Sequence, residues 1–318
     1  MKAVRIHAHG GPEVIMIEDI PEPEPKADEV LFKVTSSCIN YADVQWRLGN
    51  GDKTLPTTLG REAAGTITKV GPGVTALKVG QNITARSLGG NAEFAIAQLT
   101  NAFVCPDGFD MAQAGGVPII FLTAYHLLRS LAKVNRGDTV LIQAGASGVG
   151  SILLQMCKVW GFKSITTASN EAKLKLCRDL GADETINYTT HDFVTEVMRI
   201  TNGAGVQLAL DAVGGEVTEK SMKCLAPGAS LVNYGNASNT AASLPMADFR
   251  EGRWATGFSL VATFPTWDNP SAMAEVMGLM KDGKIKMIVD HVLPMSEAAK
   301  GHAHLSGRGA MGKVILVP

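Results

Sequence analysis

A short apolar run, Val140, Leu141 and Ile142, gives way after Gln143 to small residues from Ala144 to Gly150 (AGASGVG), and an apolar, helix-like segment, SILLQMCKVWG, begins at once. A strand that stops in a glycine-rich turn and re-enters as a helix aims free backbone N–H groups, and the positive end of the helix dipole, at one point. That geometry suits a pyrophosphate. A glycine-rich match by itself also describes a tight strand-to-helix turn with no ligand. Here both required flanks are present, which favours the nucleotide.

The following strand bears on which nucleotide. Phe162 to Ala168 (FKSITTA) reads as strand two, whose end in an NAD-preferring site carries Asp or Glu to accept from the ribose 2′-hydroxyl. This chain has Ala168, Ser169 and Asn170 there, with Lys173 one turn into the next helix. Glu171 is the nearest acid, but it falls in that helix's first turn, where it complements the dipole. A hydroxyl, an amide and a cation without a carboxylate form a pocket for a 2′-phosphate, which points to NADPH. The competing reading has Ser169 as a helix cap and Lys173 as a solvated surface charge; Ser169 could do both jobs.

Bulk properties narrow the class. The 318 residues are enough for two domains, and a 46% hydrophobic fraction supplies sizeable cores. A net charge of −1 argues against a nucleic-acid partner. No apolar run approaches the ~20 residues of a membrane helix, so a membrane partner is not expected, and the stretch around Val117 to Tyr125 reads as a buried element. The opening MKAVRIHAHGGPEV lacks the apolar core of a signal peptide. Five scattered cysteines (Cys38, Cys105, Cys157, Cys177, Cys224), with no C-x-x-C pair, fit reduced thiols in the cytoplasm and supply no zinc ribbon. The matrix, for a protein whose transit peptide has been removed, is the other compartment compatible with them.

From Met1 to about Ala112 the chain reads as strands and turns (KAVRIHA, EVIMIED, EVLFKVTSS, AAGTITKVG, AEFAIAQ), which predicts a compact barrel-like domain. The period then changes. Strands VLIQAG, SITTA, TINY, VQLALDAV and ASLVNYG alternate with helical segments, as in a doubly wound parallel sheet. GRWATGFSLVATF reads as a further strand at the sheet edge, SAMAEVMGLMKDG as a helix, and the final GKVILVP as a strand expected to rejoin the first domain. The expected division is 1–116 for the catalytic domain, 117–255 for the dinucleotide domain, and 256–318 for the remaining sheet edge and the return.

Taken in order, MKAVRIHAHGGPEV, INYADVQWRLG, LGREAAGTITKVGPGVTALKVGQNI, FLTAYHLL, LGADETINY, ALDAVGGE and GKVILVP make the chain resemble, nearly end to end, the zinc-independent, quinone oxidoreductase-like branch of the medium-chain dehydrogenase/reductase superfamily. The resemblance implies an α/β architecture: a GroES-like β-barrel catalytic domain packed on a Rossmann doubly wound parallel sheet, with the active site in the cleft between them. In zinc-dependent relatives one ligand is a Cys two residues after Cys38 and another is the His of a G-H-E motif. Asn40 and Arg61 stand there, followed by Glu62, and neither is a plausible zinc ligand. The four-cysteine lobe is absent around Leu88 to Phe94, Cys38 reads as a buried small hydrophobe, and His302 and His304 are expected to face solvent. No metal is expected.

Without a Lewis acid, the chemistry left is hydride delivery from NADPH to a carbon made electrophilic by conjugation, followed by protonation. Quinones, enones and 2-enoyl thioesters all fit as small-molecule substrates. By resemblance, Asn40 and Tyr41 line the cleft near the nicotinamide, Tyr41 as candidate proton donor, while Asp43 and Arg47 share their short helix and either contribute or brace it. Thr123 reaches the nicotinamide ribose or carboxamide; Gly148, Val149 and Gly150 face the pyrophosphate; Ser169, Lys173 and Tyr188 grip the 2′-phosphate. Val213 and Tyr234 lie at carboxyl ends of later strands, Phe258 and Leu260 on the strand whose backbone holds the carboxamide, and Lys313 approaches the cofactor. Core packing competes for the aromatic members.

Two departures stand out. The additional Tyr that many quinone reductases carry in or just after INYADVQWRLG is missing, which leaves protonation to Tyr41 or water. Ser147 replaces a turn glycine, which with Asn233–Gly235 resembles 2-enoyl thioester reductases, although their characteristic Tyr is absent too. An enoyl-CoA or acyl-carrier reductase, or a crystallin-like NADPH-binding protein of low activity, are the alternatives. The family also implies a homodimer paired through the edge strand, and substrate walls from the loops around Asn50–Thr57 and Ala237–Asp248.

Overall fold

A computed structural model describes residues 1–50 and 54–318. Strands β1 (Lys2–Ile6), β2 (Ile15–Asp19) and β3 (Glu29–Ile39) lead to helix α1 (Tyr41–Arg47), then to β4 (Thr57–Thr58), β5 (Glu62–Val70), β6 (Asn82–Arg86), β7 (Phe94–Gln98) and β8 (Ala102–Val104). After helices α2 (Met111–Ala114) and α3 (Val117–Tyr125) the alternation sets in: β9 (Thr139–Ile142), α4 (Gly148–Trp160), β10 (Lys163–Ala168), α5 (Glu171–Asp179), β11 (Glu184–Asn187), α6 (Phe193–Ile200), β12 (Val206–Asp211), α7 (Glu216–Lys223), β13 (Leu225–Asn233) and β14 (Trp254–Gly257). Helices α8 (Leu260–Thr263) and α9 (Asn269–Lys281), strand β15 (Val289–Pro294), helix α10 (Ala298–Ser306) and strand β16 (Lys313–Val317) complete the chain.

The chain divides into two compact units, Met1–Ile120 with Met287–Pro318, and Phe121–Lys286. The first cut falls inside α3 rather than at the 116/117 border read from the sequence, because α3 is one continuous helix with no turn residue to mark a boundary.

In the second unit the strands run in the order β11-β10-β9-β12-β13-β14, and every pairing is parallel. This is the dinucleotide-binding order, with its switch point between β9 and β12. Its strands are covered on both faces, so β10 is buried at every residue but Lys163, and the near-continuous apolar runs follow. One core cluster joins Leu141, Ile165, Val206 and Leu231 to Phe193 and Val197 of α6. Only Trp254–Gly257 of the expected strand GRWATGFSLVATF is extended. Ser259 ends the extended stretch by capping α8, its Oγ accepting from Ala262 N at 3.5 Å.

In the first unit, β2-β1-β4 form a small sheet, while β15-β16-β3-β5-β6-β8 form a larger one in which β7 also pairs with β3. The long β3 is its spine, with Val30, Phe32 and Val34 packed on Ala63, Ile67 and Ile83. The terminal GKVILVP does return here: Val314–Leu316 pair antiparallel with Ile39–Ser37.

Candidate functional site

The turn after β9 has the geometry its sequence suggests. Ser147 caps α4, its Oγ accepting from Gly150 N at 3.1 Å and its carbonyl from Ser151 N at 2.9 Å. The amides of Gly148 and Val149 open the helix, where no intrahelical acceptor exists for them. Glycine is required at two places: a Cβ on Gly150 would stand 2.4 Å from the Ala144 carbonyl oxygen, and one on Gly145 would stand 2.1 Å from Thr166 Oγ1. Buried Gln143 ties the turn to both sides of the switch point, its amide N–H to Leu210 O, its side chain to Thr167 and Ser221. The residues present fit a dinucleotide phosphate at the amino end of α4.

At the end of β10 the helix cap is Asn170, whose Oδ1 accepts from Lys173 N at 3.0 Å, so Ser169 does not cap α5. Glu171 is taken by Arg178 of the same helix. Tyr188 follows β11, half-exposed, its N–H bonded to Ala168 O, and Thr189 Oγ1 reaches Ser169 O. Ser169 and Tyr188 thus flank one stretch of sheet edge, with Lys173 a turn into α5.

After β12, the buried Asp211 carboxylate accepts from Val213 N, Gly214 N, Thr218 Oγ1 and Asn233 Nδ2, fixing the loop that carries Val213. Asp211 went unnoticed in ALDAVGGE; its signal is a lone acid ending an apolar strand. A cavity of about 450 Å³ at the carboxyl ends of β12–β14 is lined by Gly214, Thr218, Asn233, Gly235, Thr240 and Leu244 among others, so the 237–248 loop does line a cavity. Its counterpart around Asn50–Thr57 includes Gly51, Asp52 and Lys53, which lie outside the described residues.

The Tyr234 hydroxyl is buried with no hydrogen-bond partner among the described residues, and burial raises its pKa. Thr123 is buried on α3. Phe258 and Leu260 are not on a strand. Phe258 follows β14, its N–H bonded to Asn233 O and its ring stacked on Trp267 at 5.3 Å, and Leu260 opens α8. The Phe258 side chain is core packing.

In the first unit a buried polar cluster gathers from three strands and the start of α1. Glu62, fully buried, receives Cys38 Sγ–H at 2.8 Å, Asn40 Nδ2 at 3.0 Å and Lys313 Nζ at 3.1 Å on one oxygen, and Ile119 N–H at 2.6 Å on the other. Lys313 Nζ also donates to Asn40 Oδ1 at 2.8 Å. Burial alone would lower the Lys313 pKa, but the opposing charge of Glu62 outweighs it and the ammonium is held charged. Burial, reinforced by Glu62, pushes the Cys38 thiol well up, so it stays a neutral donor. Cys38 is therefore a hydrogen-bonding member of a polar network, and Lys313 is an ion-pair partner of Glu62. Tyr41 is the first residue of α1, beside Asn40 and partly exposed.

The family models for the alcohol dehydrogenase GroES-like domain and for a zinc-binding dehydrogenase match residues 26–118 and 180–316. The quinone oxidoreductase of Pseudomonas aeruginosa is 33% identical over 323 residues, covering 100% of this chain and 99% of its own. The chain belongs to the quinone oxidoreductase-like branch of the medium-chain dehydrogenase/reductase superfamily. The 2-haloacrylate reductase of a Burkholderia species is 30% identical over 328 residues (99% and 98% covered). The structure of Escherichia coli quinone oxidoreductase complexed with NADPH matches with a TM-score of 0.96 at 30% identity, both chains covered entirely. The two units are accordingly the GroES-like and Rossmann-like folds of this superfamily.

The residues flanking the polar cluster are tied into α1 and its neighbours. Arg47 is buried and braces α1 to Gly10 O and Ser306 Oγ, and Asp43 accepts from Asn40 N at 2.8 Å. His302 is not solvent-facing: it is fully buried, and burial, with Arg47 nearby, pushes its pKa down to about 3. Gly301 lets α10 press closely against Ile39 and Val314, and the face of the helix that carries His302 is buried with it. His304 is a third exposed and bonded to Asp290.

Burial pushes the Asp43 carboxyl up to about 6, and its Oδ1 has no partner among the described residues. A folded pKa above the unfolded ~3.9 means stabilisation that is complete below that value and lost as pH rises through about 6. Asp43→Asn cannot titrate. Urea unfolding at pH 4 and 7.5 should show the stability gap shifting in the variant's favour by ~2 kcal/mol at the higher pH; a constant gap contradicts this.

Proposed function

We propose that this protein is an NADPH-dependent reductase of quinones or other conjugated carbonyls, working by direct hydride transfer without a metal. The observation that carries the reading is the pair of built features: a phosphate-receiving turn followed by a strand end with no free acid, and a Lys313–Glu62–Asn40 network that ties up Asn40, which stands where zinc relatives have a cysteine ligand. Bound NADPH would supply the hydride. Gly148, Val149 and Gly150 would hold its pyrophosphate, and Ser169, Lys173 and Tyr188 its 2′-phosphate, with Thr123, Val213, Tyr234 and the backbone at Phe258 and Leu260 along its length.

The metal-free reading is supported by charge. The Glu62 carboxylate is already saturated by four donors, and Arg61 lies over the Trp46 ring at 3.8 Å. A divalent ion at Asn40 would meet the Lys313 ammonium instead of thiolate or imidazole. Asn40 spends its amide within the network, Oδ1 on Lys313 and Nδ2 on Glu62. Its role is to position α1, which leaves Tyr41 or solvent to protonate the developing enolate.

Protein dialysed against EDTA is expected to turn over quinone or enone panels, acrylates included, with NADPH in preference to NADH; no turnover of either panel would sink the reading. Gly150→Ala should weaken NADPH binding by at least ~10-fold, about 1.4 kcal/mol, because the turn must open. Fluorescence titration checks this, and unchanged affinity would mean the phosphates lie elsewhere. We further propose a homodimer through β14, which pairs on one side only. A sedimentation experiment that gives a monomer would exclude it. Five free, buried cysteines fit a reducing compartment, the cytoplasm in this reading.

A further inference from the structure

In the first unit, β15 and α10 bring together three residues that the proposed chemistry does not use. Asp290 Oδ2 lies 2.6 Å from His304 Nε2 and 3.3 Å from His291 Nδ1. The two imidazole rings lie with centroids 4.6 Å apart and planes tilted by 59°. One ligand atom from each of the three lies within 4.8 Å of the other two. We propose that Asp290, His291 and His304 form a binding site for a divalent transition ion of the zinc class, pinning β15 to the end of α10.

Three features argue for this. Bonds of about 2.0–2.2 Å in tetrahedral geometry set ligand atoms ~3.3 Å apart; the Asp290–His291 separation already has that value, the Asp290–His304 separation needs a small opening, and the two imidazole ligand atoms lie within 4.8 Å of each other. Consecutive residues of a regular strand point to opposite faces, yet Asp290 and His291 reach the same point. The register shift between Val289 and His291 does this, leaving Asp290 without a partner in β16; bulges re-aim side chains in this way. Finally, His304 lies in the last turn of α10, whose carbonyl end favours positive charge, and Gly309 packs against its ring, where a Cβ would come within 3.1 Å of Cε1. Asp290 is mostly buried and His291 is half exposed, so one side stays open for entry and for water as a further ligand. The set combines a carboxylate with two imidazoles, the donor types zinc accepts. It shares no residue with the Asn40–Glu62–Lys313 network, so it adds a structural ion and leaves the metal-free chemistry as proposed.

The test uses full-length protein without a polyhistidine tag, stripped with EDTA and equilibrated by dialysis with zinc sulfate. Bound metal is read by plasma mass spectrometry and stability by thermal unfolding. About one equivalent of zinc and a rise in Tm are expected, with at least ~100-fold weaker binding in His291→Ala and in His304→Gln. Half-exposed His291 serves as the variant least able to disturb folding. Zinc retained equally by the His291→Ala/His304→Gln double variant overturns the proposal, as does binding lost in one single variant but kept in the other, or no retention by the unaltered protein.

Discussion

Lys313→Met is expected to destabilise the protein by ~3–5 kcal/mol, a drop in Tm on the order of 10 °C. The cause is the carboxylate left behind. Glu62 is fully buried, and Lys313 is its only cationic partner among the described residues. Removing the ammonium strands a charge in a low-dielectric site, whereas removing both charges does not. Lys313→Met/Glu62→Gln should therefore recover most of the loss, since Gln can still accept from Ile119 N–H. Thermal unfolding of both variants at neutral pH is the check. A loss below ~1 kcal/mol, or a double variant worse than the single, would show that the pair is not a coupled unit.

Ser169→Asp is expected to lower NADPH affinity about 100-fold, ~2.7 kcal/mol, and to leave NADH binding unchanged or improved. The substitution places a carboxylate at the end of β10, where a ribose 2′-hydroxyl can donate to it and a 2′-phosphate is repelled. The native carboxylate nearby cannot do this, because Glu171 is engaged by Arg178. Fluorescence titration with both nucleotides measures it; an NADPH affinity within threefold of the original contradicts the assignment of that pocket.

The second unit was largely legible in the sequence because its signals are local. A strand, a turn of small residues and a helix are contiguous from Val140 to Trp160, and strands buried on both faces leave apolar runs that are easily seen. The edge reads too long because the apolar residues of GRWATGFSLVATF run on past Gly257 into the short helix α8, and apolar content alone does not separate the two.

The first unit hid its chemistry in long-range pairings. Glu62 and Lys313 are 251 positions apart, and nothing near Lys313 says that it is buried. His302 and His304 looked alike on a short helix rich in alanine and glycine, whose weak apolar period does not say which face is inside. Cys38 read as a small hydrophobe because burial is visible in a β-strand pattern and a hydrogen-bond partner is not. Strand β15 was missed altogether, its bulge having broken the alternation that would have revealed it.

The central claim is that the Rossmann-like unit delivers hydride from NADPH to a conjugated carbon with no metal taking part. Its most direct test is mass spectrometry of the product formed from an enone by EDTA-dialysed protein supplied with NADPH deuterated at nicotinamide C4 on the transferred face. One deuterium at the β-carbon is the predicted result. Product without the label, or turnover that appears only when a divalent metal is restored, would contradict the account.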